Sequence, residues 1–119
     1  MGYEVKMYVG EHSNIGDGYI SVIGMVDLCK PDYRDAVSKI DSETSAIKGY
    51  IYCDDGNTKL ELDRYDRPVR IHLATAMLEA LQAANKREKY RRYSIAIAFL
   101  KEALKHFPAE TLVVVLYGY

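Results

Sequence analysis

Near its C-terminal end the chain reads Thr111-Leu112-Val113-Val114-Val115-Leu116-Tyr117, seven positions without a charge among them. An apolar, β-branched run of this kind is a strand, and with no polar face to offer water it is a strand covered on both sides. Such a strand belongs inside a sheet and not at its edge. The remainder of the chain must therefore supply its neighbours and something to pack on each face.

The neighbours are legible as period-2 segments. Tyr3, Val5, Met7 and Val9 alternate with Glu4, Lys6 and Tyr8, and a second alternation runs from Tyr19 to Cys29, each the pattern of a half-buried strand. Between them, Ser13, Asn14, Gly16, Asp17 and Gly18 mark a loop. Gly24, in the middle of the second segment, signals a bulge or a close backbone approach. Pro31 opens a short helix with Tyr33, Val37 and Ile40 as its apolar stripe. Residues 46 to 62 read as a hairpin with its tip at Asp54-Asp55-Gly56-Asn57, and Tyr65-Asp66-Arg67-Pro68 makes a second turn. Val69 to Ile71 fits either a fifth strand or the first turn of the helix that follows.

The period then changes. Leu73, Met77, Ala80, Leu81 and Ala84 recur at three and four, predicting an Ala-rich helix over 72–85 with Asn85 as its terminator. Tyr93, Ile97, Leu100, Leu104 and Phe107 sustain a second helix until Pro108. The expected fold is α+β: a mainly antiparallel sheet of five or six strands with a helical hairpin packed on one face, residues 1–119 forming a single domain. Leu100 and Val114 are expected in its core.

The apolar runs Ile95 to Leu100 and Leu112 to Tyr117 are far shorter than the roughly 20 residues of a membrane helix. No charged-then-apolar leader opens the chain, so the expected location is the cytoplasm, with Cys29 and Cys53 reduced. Neither Cys belongs to a C-x-x-C pair, and no motif for a cofactor or a metal is read. The Asp54 to Asn57 turn, with Asp63 and Asp66, lacks the ligand spacing of a calcium loop and is read as turn chemistry. Net charge is −1, but the acidic residues concentrate in the first half and the basic ones in the second.

The most suggestive basic stretch is Lys86-Arg87-Glu88-Lys89-Tyr90-Arg91-Arg92-Tyr93, with five cations and two tyrosines in eight positions. Those are the ingredients for gripping phosphates and stacking a base. The alternative is a solvated connection between two helices with Tyr93, and Tyr90 beside it, turned into the core. Eleven tyrosines, two phenylalanines and no tryptophan suit a recognition surface. The candidate ligand- or partner-binding residues are accordingly Arg87, Lys89, Tyr90, Arg91 and Arg92, with Tyr8, Tyr19, Tyr50 and Tyr52 on strand faces. His12, His72 and His106 accompany no nucleophile motif, so a catalytic trio such as His12 with Cys29 or Asp17 would have to gather from loops, and the reading leans away from an enzyme.

In Tyr3 to Gly10, Tyr19 to Lys30, the Asp54 to Asn57 hairpin and Tyr90-Arg91-Arg92-Tyr93 leading into Ile95 to Leu104, the chain resembles in style the small accessory proteins that bacteriophages encode. The resemblance implies stoichiometric binding, by blocking a host factor or holding a signalling nucleotide, and assigns no residue. The function expected is a non-enzymatic binding protein, an accessory protein or inhibitor, for a host protein or other macromolecule or a phosphate-bearing ligand. The alternatives are a nucleic-acid-binding domain using 86–93 and a small enzyme. A homodimer is expected from the open edges such a sheet leaves.

Overall fold

The computed structural model describes residues 4–12, 20–29, 34–48, 51–52 and 59–118. In chain order the elements are β1 (Val5–His12), β2 (Ile20–Cys29), α1 (Arg34–Glu43), β3 (Ile47–Lys48), β4 (Ile51–Tyr52), β5 (Lys59–Leu60), β6 (Arg70–Leu73), α2 (Ala74–Arg87), α3 (Arg91–His106) and β7 (Leu112–Gly118). The architecture is α+β, with an antiparallel sheet and three helices.

The last strand occupies the place its composition demands. β7 lies between β1 and β6, and all seven of its residues are buried. Leu112, Val114 and Leu116 face a core built with Met7 and Leu28 from the sheet, Val37 and Ile40 from α1, Met77 and Leu81 from α2, and Tyr93 and Leu100 from α3. Val113, Val115 and Tyr117 face a second, smaller core with Ile20, Val69 and Ile71, against which Tyr8 packs. All three helices thus cover one face.

The sheet has four strands, β2-β1-β7-β6, and not the five or six expected. The two-residue β3 only extends it by a short ladder on the free edge of β6 (Ile47↔Ile71, Lys48↔Arg70), while β4 and β5 pair with each other in a separate ribbon. The β4–β5 pairing (Ile51↔Leu60, Tyr52↔Lys59) is the hairpin expected within 46–62, but it stands apart from the sheet, and Ile47 pairs with Ile71 of β6 instead. Val69 to Ile71 resolves as strand, since β6 begins at Arg70 and runs directly into α2.

α2 buries Ala74, Met77, Leu81 and Ala84, and α3 buries Tyr93, Ala96, Leu100 and Ala103, the same three-four-three spacing on both sides of the hairpin. Asn85 does not end α2, which continues to Arg87. Instead its Oδ1 accepts from the Tyr90 amide at 3.1 Å and its Nδ2 donates to Ser94 Oγ at 3.3 Å, tying the connection to both helices.

Two glycines are explained by close approach. The β1–β2 register slips by one residue between Val9↔Gly24 and Gly10↔Val22, a bulge that leaves Ile23 extra. A Cβ at Gly10 would lie 2.4 Å from the Ser21 carbonyl oxygen, and one at Gly24 would lie 2.4 Å from the tip of the Phe99 ring. Among the described residues no helix is long and apolar enough to cross a membrane.

Leu100 and Val114 are both fully buried. Leu100→Ala is expected to destabilise by about 2–5 kcal/mol in urea denaturation, and Val114→Asp to prevent folding. Gly10→Ala should destabilise more than Gly24→Ala, because a carbonyl held in a ladder cannot yield whereas the half-buried Phe99 ring can swing away; equal losses in the same assay would contradict this placement.

Candidate functional site

The antiparallel α2–α3 hairpin sets Gln82, Asn85 and Lys86 of α2 opposite Ser94, Ile97 and Lys101 of α3, and Lys89, Tyr90 and Arg91 close the groove at the turn. Its volume is about 910 Å³. Among the described residues four cations line it, Lys86, Lys89, Arg91 and Lys101, and no carboxylate does. From Arg91 to Lys101 the positive charge extends about 15 Å along the axis of α3, at 1.5 Å per residue.

The two ends of the turn differ electrostatically. Lys86 and Arg87 in the last turn of α2 stand at the negative end of that helix dipole, where cations are favoured. Arg91 and Arg92 open α3 with no acidic residue in its first turn and no side-chain cap on Tyr90, a placement the dipole opposes. Local helix preferences therefore do not account for these two arginines, and their surroundings must.

Those surroundings divide the basic stretch. Arg91 is exposed and lines the groove, as does Lys89, while Arg87 is exposed away from it. Arg92 turns to the sheet and donates from Nη1 to the Asp27 carbonyl at 3.1 Å. Tyr90 and Tyr93 are buried and meet edge to face, centroids 4.9 Å apart at 82°. Tyr90 borders the groove with its ring committed to this packing, so the inward reading of both tyrosines describes them. Tyr8 is half-buried on the far face of the sheet, edge-on to Tyr117 at 6.3 Å. Tyr19, Tyr50 and the Tyr52 side chain lie outside the described residues. Lys101, Gln82 and Ser94 escaped the sequence reading because they join the cluster only through helix pairing; the signal was the i, i+3, i+7 spacing of 94, 97 and 101.

Two other groups of chemical interest, His72 and Asp63, are engaged structurally. His72 is fully buried on β6, its Nε2 2.7 Å from Asp41 Oδ1 and its Nδ1 3.3 Å from the Ser45 carbonyl. Its neighbour Arg70 donates from Nη1 to the Asp41 carbonyl and from Nη2 to that of Thr44 at 3.1 Å. α1 carries no basic residue in its last turn, so β6 supplies from across the fold the partners its terminal carbonyls need. Both ring nitrogens of His72 face acceptors, so the side chain ties β6 to the end of α1.

His12 and Cys29 stand at opposite ends of the β1–β2 ladder, about 23 Å apart by strand rise, which separates that pair; Asp17 lies outside the described residues. Asp63 Oδ1 accepts from the amides of Tyr65 (2.8 Å) and Arg67 (3.0 Å), and Oδ2 from that of Gly118 at 3.3 Å. With Asp66 at φ 60°, these acids do turn work, as expected; Asp54 to Asn57 lie outside the described residues. Among the described residues no cluster of His, Cys, Asp and Glu fits a metal ion. A smaller pocket of about 310 Å³, bordered by His12, Leu73, Glu110 and Val113, is chiefly apolar. Compared with known proteins, the chain matches no family model, no curated protein and no solved structure.

Asp41→Ala is expected to leave the Nε2 of a sealed imidazole without its partner and to destabilise by about 1–3 kcal/mol in urea denaturation. Unchanged stability would show that the pair does not hold α1.

Proposed function

We propose that the chain is a non-enzymatic binding protein, acting in the cytoplasm, that holds a phosphate-bearing ligand in the α2–α3 groove. The observation that carries this reading is the concentration of Lys86, Lys89, Arg91 and Lys101 around one open cavity with no carboxylate among the described residues of its lining. Arg91 adds weight, because it stands against the α3 dipole and an anion in the groove would offset that repulsion. Asn85 and Ser94 are already tied to each other, which holds the groove walls in place before a ligand arrives. An accessory or inhibitory role, in which a host component is bound stoichiometrically, is compatible with such a site.

A nucleic acid is the second reading, favoured by the length of the charged track. About 15 Å of helix separates Arg91 from Lys101, more than one compact phosphate group spans. Because the Tyr90 ring is buried against Tyr93, binding there would rest on backbone phosphates and not on stacked bases.

Titration of the wild type, a Lys86→Ala/Lys89→Ala/Arg91→Ala variant and Arg92→Ala against mono- and cyclic nucleotides, single-stranded DNA and duplex DNA at two salt concentrations separates these readings. The triple variant is expected to lose at least about tenfold in affinity, since charge-assisted hydrogen bonds to phosphate are the strong kind, and Arg92→Ala to bind nearly as the wild type. A nucleic acid gives a steep salt dependence whose slope falls by about one unit per phosphate contact removed, whereas a compact nucleotide gives a shallow one. Absence of binding to every probe, or equal binding by the triple variant, would reduce the groove to a solvated connection.

A further inference from the structure

Apolar surface is concentrated on the margin of the molecule where β2 ends the sheet. Val22 (46% exposed), Ile23 (38%) and Met25 (42%) on β2 and Ile95 (57%) on α3 are four of the seven large apolar side chains exposed among the described residues. α3 lies along β2 on the helix-covered face, whereas Met25, opposite Tyr8, and Val22, opposite Gly10, stand on the far face, so the exposed apolar residues border the β2 edge from both sides. Arg92 reaches the Asp27 carbonyl, and seven residues later the Phe99 ring fills the space over Gly24. Seven residues of helix and three of strand each span about 10 Å, so the two elements run antiparallel and in step.

The flank of α3 above this margin carries an internal symmetry. Arg92, Ile95, Phe99 and Glu102 follow one another at three, four and three, forming a single stripe that reads cation, apolar, apolar, anion. Reversed about position 97, the stripe sets Arg92 against Glu102 and Ile95 against Phe99. A two-fold interface demands this property, since the same patch must complement itself. Glu102 is exposed, and the hydrogen bond donated by His106, followed by that from Lys105, holds its carboxyl below the ordinary carboxylate range. Surface contacts of that kind exchange partners at little cost.

Beyond the ligand reading of the groove, we infer that this flank is a homodimer interface in which α3 packs antiparallel on α3 of a second copy, Arg92 pairing with Glu102 and Ile95 with Phe99 across the axis. Helix axes approach to 8–10 Å, against about 4.8 Å for hydrogen-bonded strands. With α3 seated on β2 the helices meet first, so side chains and not strand-to-strand hydrogen bonds carry the contact.

Sedimentation of the full chain across micromolar concentrations tests this. The wild type is expected to show a monomer–dimer equilibrium, and Ile95→Lys, at a position already more than half exposed, to be monomeric with unchanged circular dichroism. Glu102→Arg should weaken the dimer about tenfold, by turning two surface attractions into repulsions. Arg92→Glu/Glu102→Arg should restore it, because the reversed charges again face each other. Since Arg92 also bonds to β2, Ile95→Lys and Glu102→Arg carry the test if the double variant folds poorly. A monomeric wild type, an undiminished dimer in Ile95→Lys or Glu102→Arg, or a well-folded double variant that stays monomeric would overturn the proposal.

Discussion

Everything in this fold answers to β7, a strand with no face for water. Its backbone is satisfied by β1 on one side and β6 on the other, and its side chains divide evenly, Leu112, Val114 and Leu116 toward the helices and Val113, Val115 and Tyr117 away from them. One layer would leave three large apolar side chains in solvent. The second cover is therefore as necessary as the first, and it is made cheaply, by residues on neighbouring elements such as Ile20, Ile71 and Val69. The segment 61–69 is fastened where that cover is needed: Arg64 N donates to the Gly118 carbonyl at 3.0 Å, and Asp63 accepts from the Gly118 amide. A turn acid thus anchors the end of the central strand.

A comparable dependence links α1 to β6. A ten-residue helix is too short to be stable alone, and this one ends without a basic residue of its own. Arg70 and His72 alternate along β6 with Ile71, so the strand offers polar groups to the C-terminus of α1 on one face and an apolar residue to the second core on the other. Four residues of strand thereby complete a helix end and part of a core, which explains why so short a strand is retained between β7 and β3.

Much of this was legible in the sequence, and the illegible parts have physical causes. The double burial of β7, the alternation in β1 and the helical hairpin all follow from periodicity, because each depends on one element meeting apolar surroundings; the single face read along Ile20, Val22, Val26 and Leu28 of β2 does not hold, because the bulge at Ile23 turns Ile20 to the second core and Leu28 to the first. Gly24 announced a close approach, although not that Phe99, seventy-five positions away, was what approached. Strand count failed because the hairpin within 46–62 pairs with itself through β4 and β5 and does not join the sheet. Asn85 looked like a terminator, yet its amide serves the turn beyond the helix. The basic stretch was visible as a composition, but sequence adjacency misrepresented it: Arg92 belongs to the sheet margin, and Lys101, nine positions past it, belongs to the groove. Asp41 and His72 are 31 positions apart, and nothing local in either neighbourhood connects them.

The division of labour around α3 makes the groove and the margin compatible. Tyr93, Ala96, Leu100 and Ala103 form the buried stripe. Advancing the first three by one residue gives Ser94, Ile97 and Lys101, which line the groove beside α2, and stepping all four back by one gives Arg92, Ile95, Phe99 and Glu102, the flank above β2. At about 100° per residue the two polar-bearing stripes lie on opposite shoulders of the helix, separated by the one that anchors it. Contact on the flank therefore leaves the groove open, and a two-fold axis through the flank would place two grooves on opposite sides of the pair, facing away from each other. A ligand held in one of them meets the second copy only through α3 itself, whose core stripe is the most deeply packed part of the helix. On that geometry the groove and the flank would be separate surfaces, with the buried stripe of α3 between them.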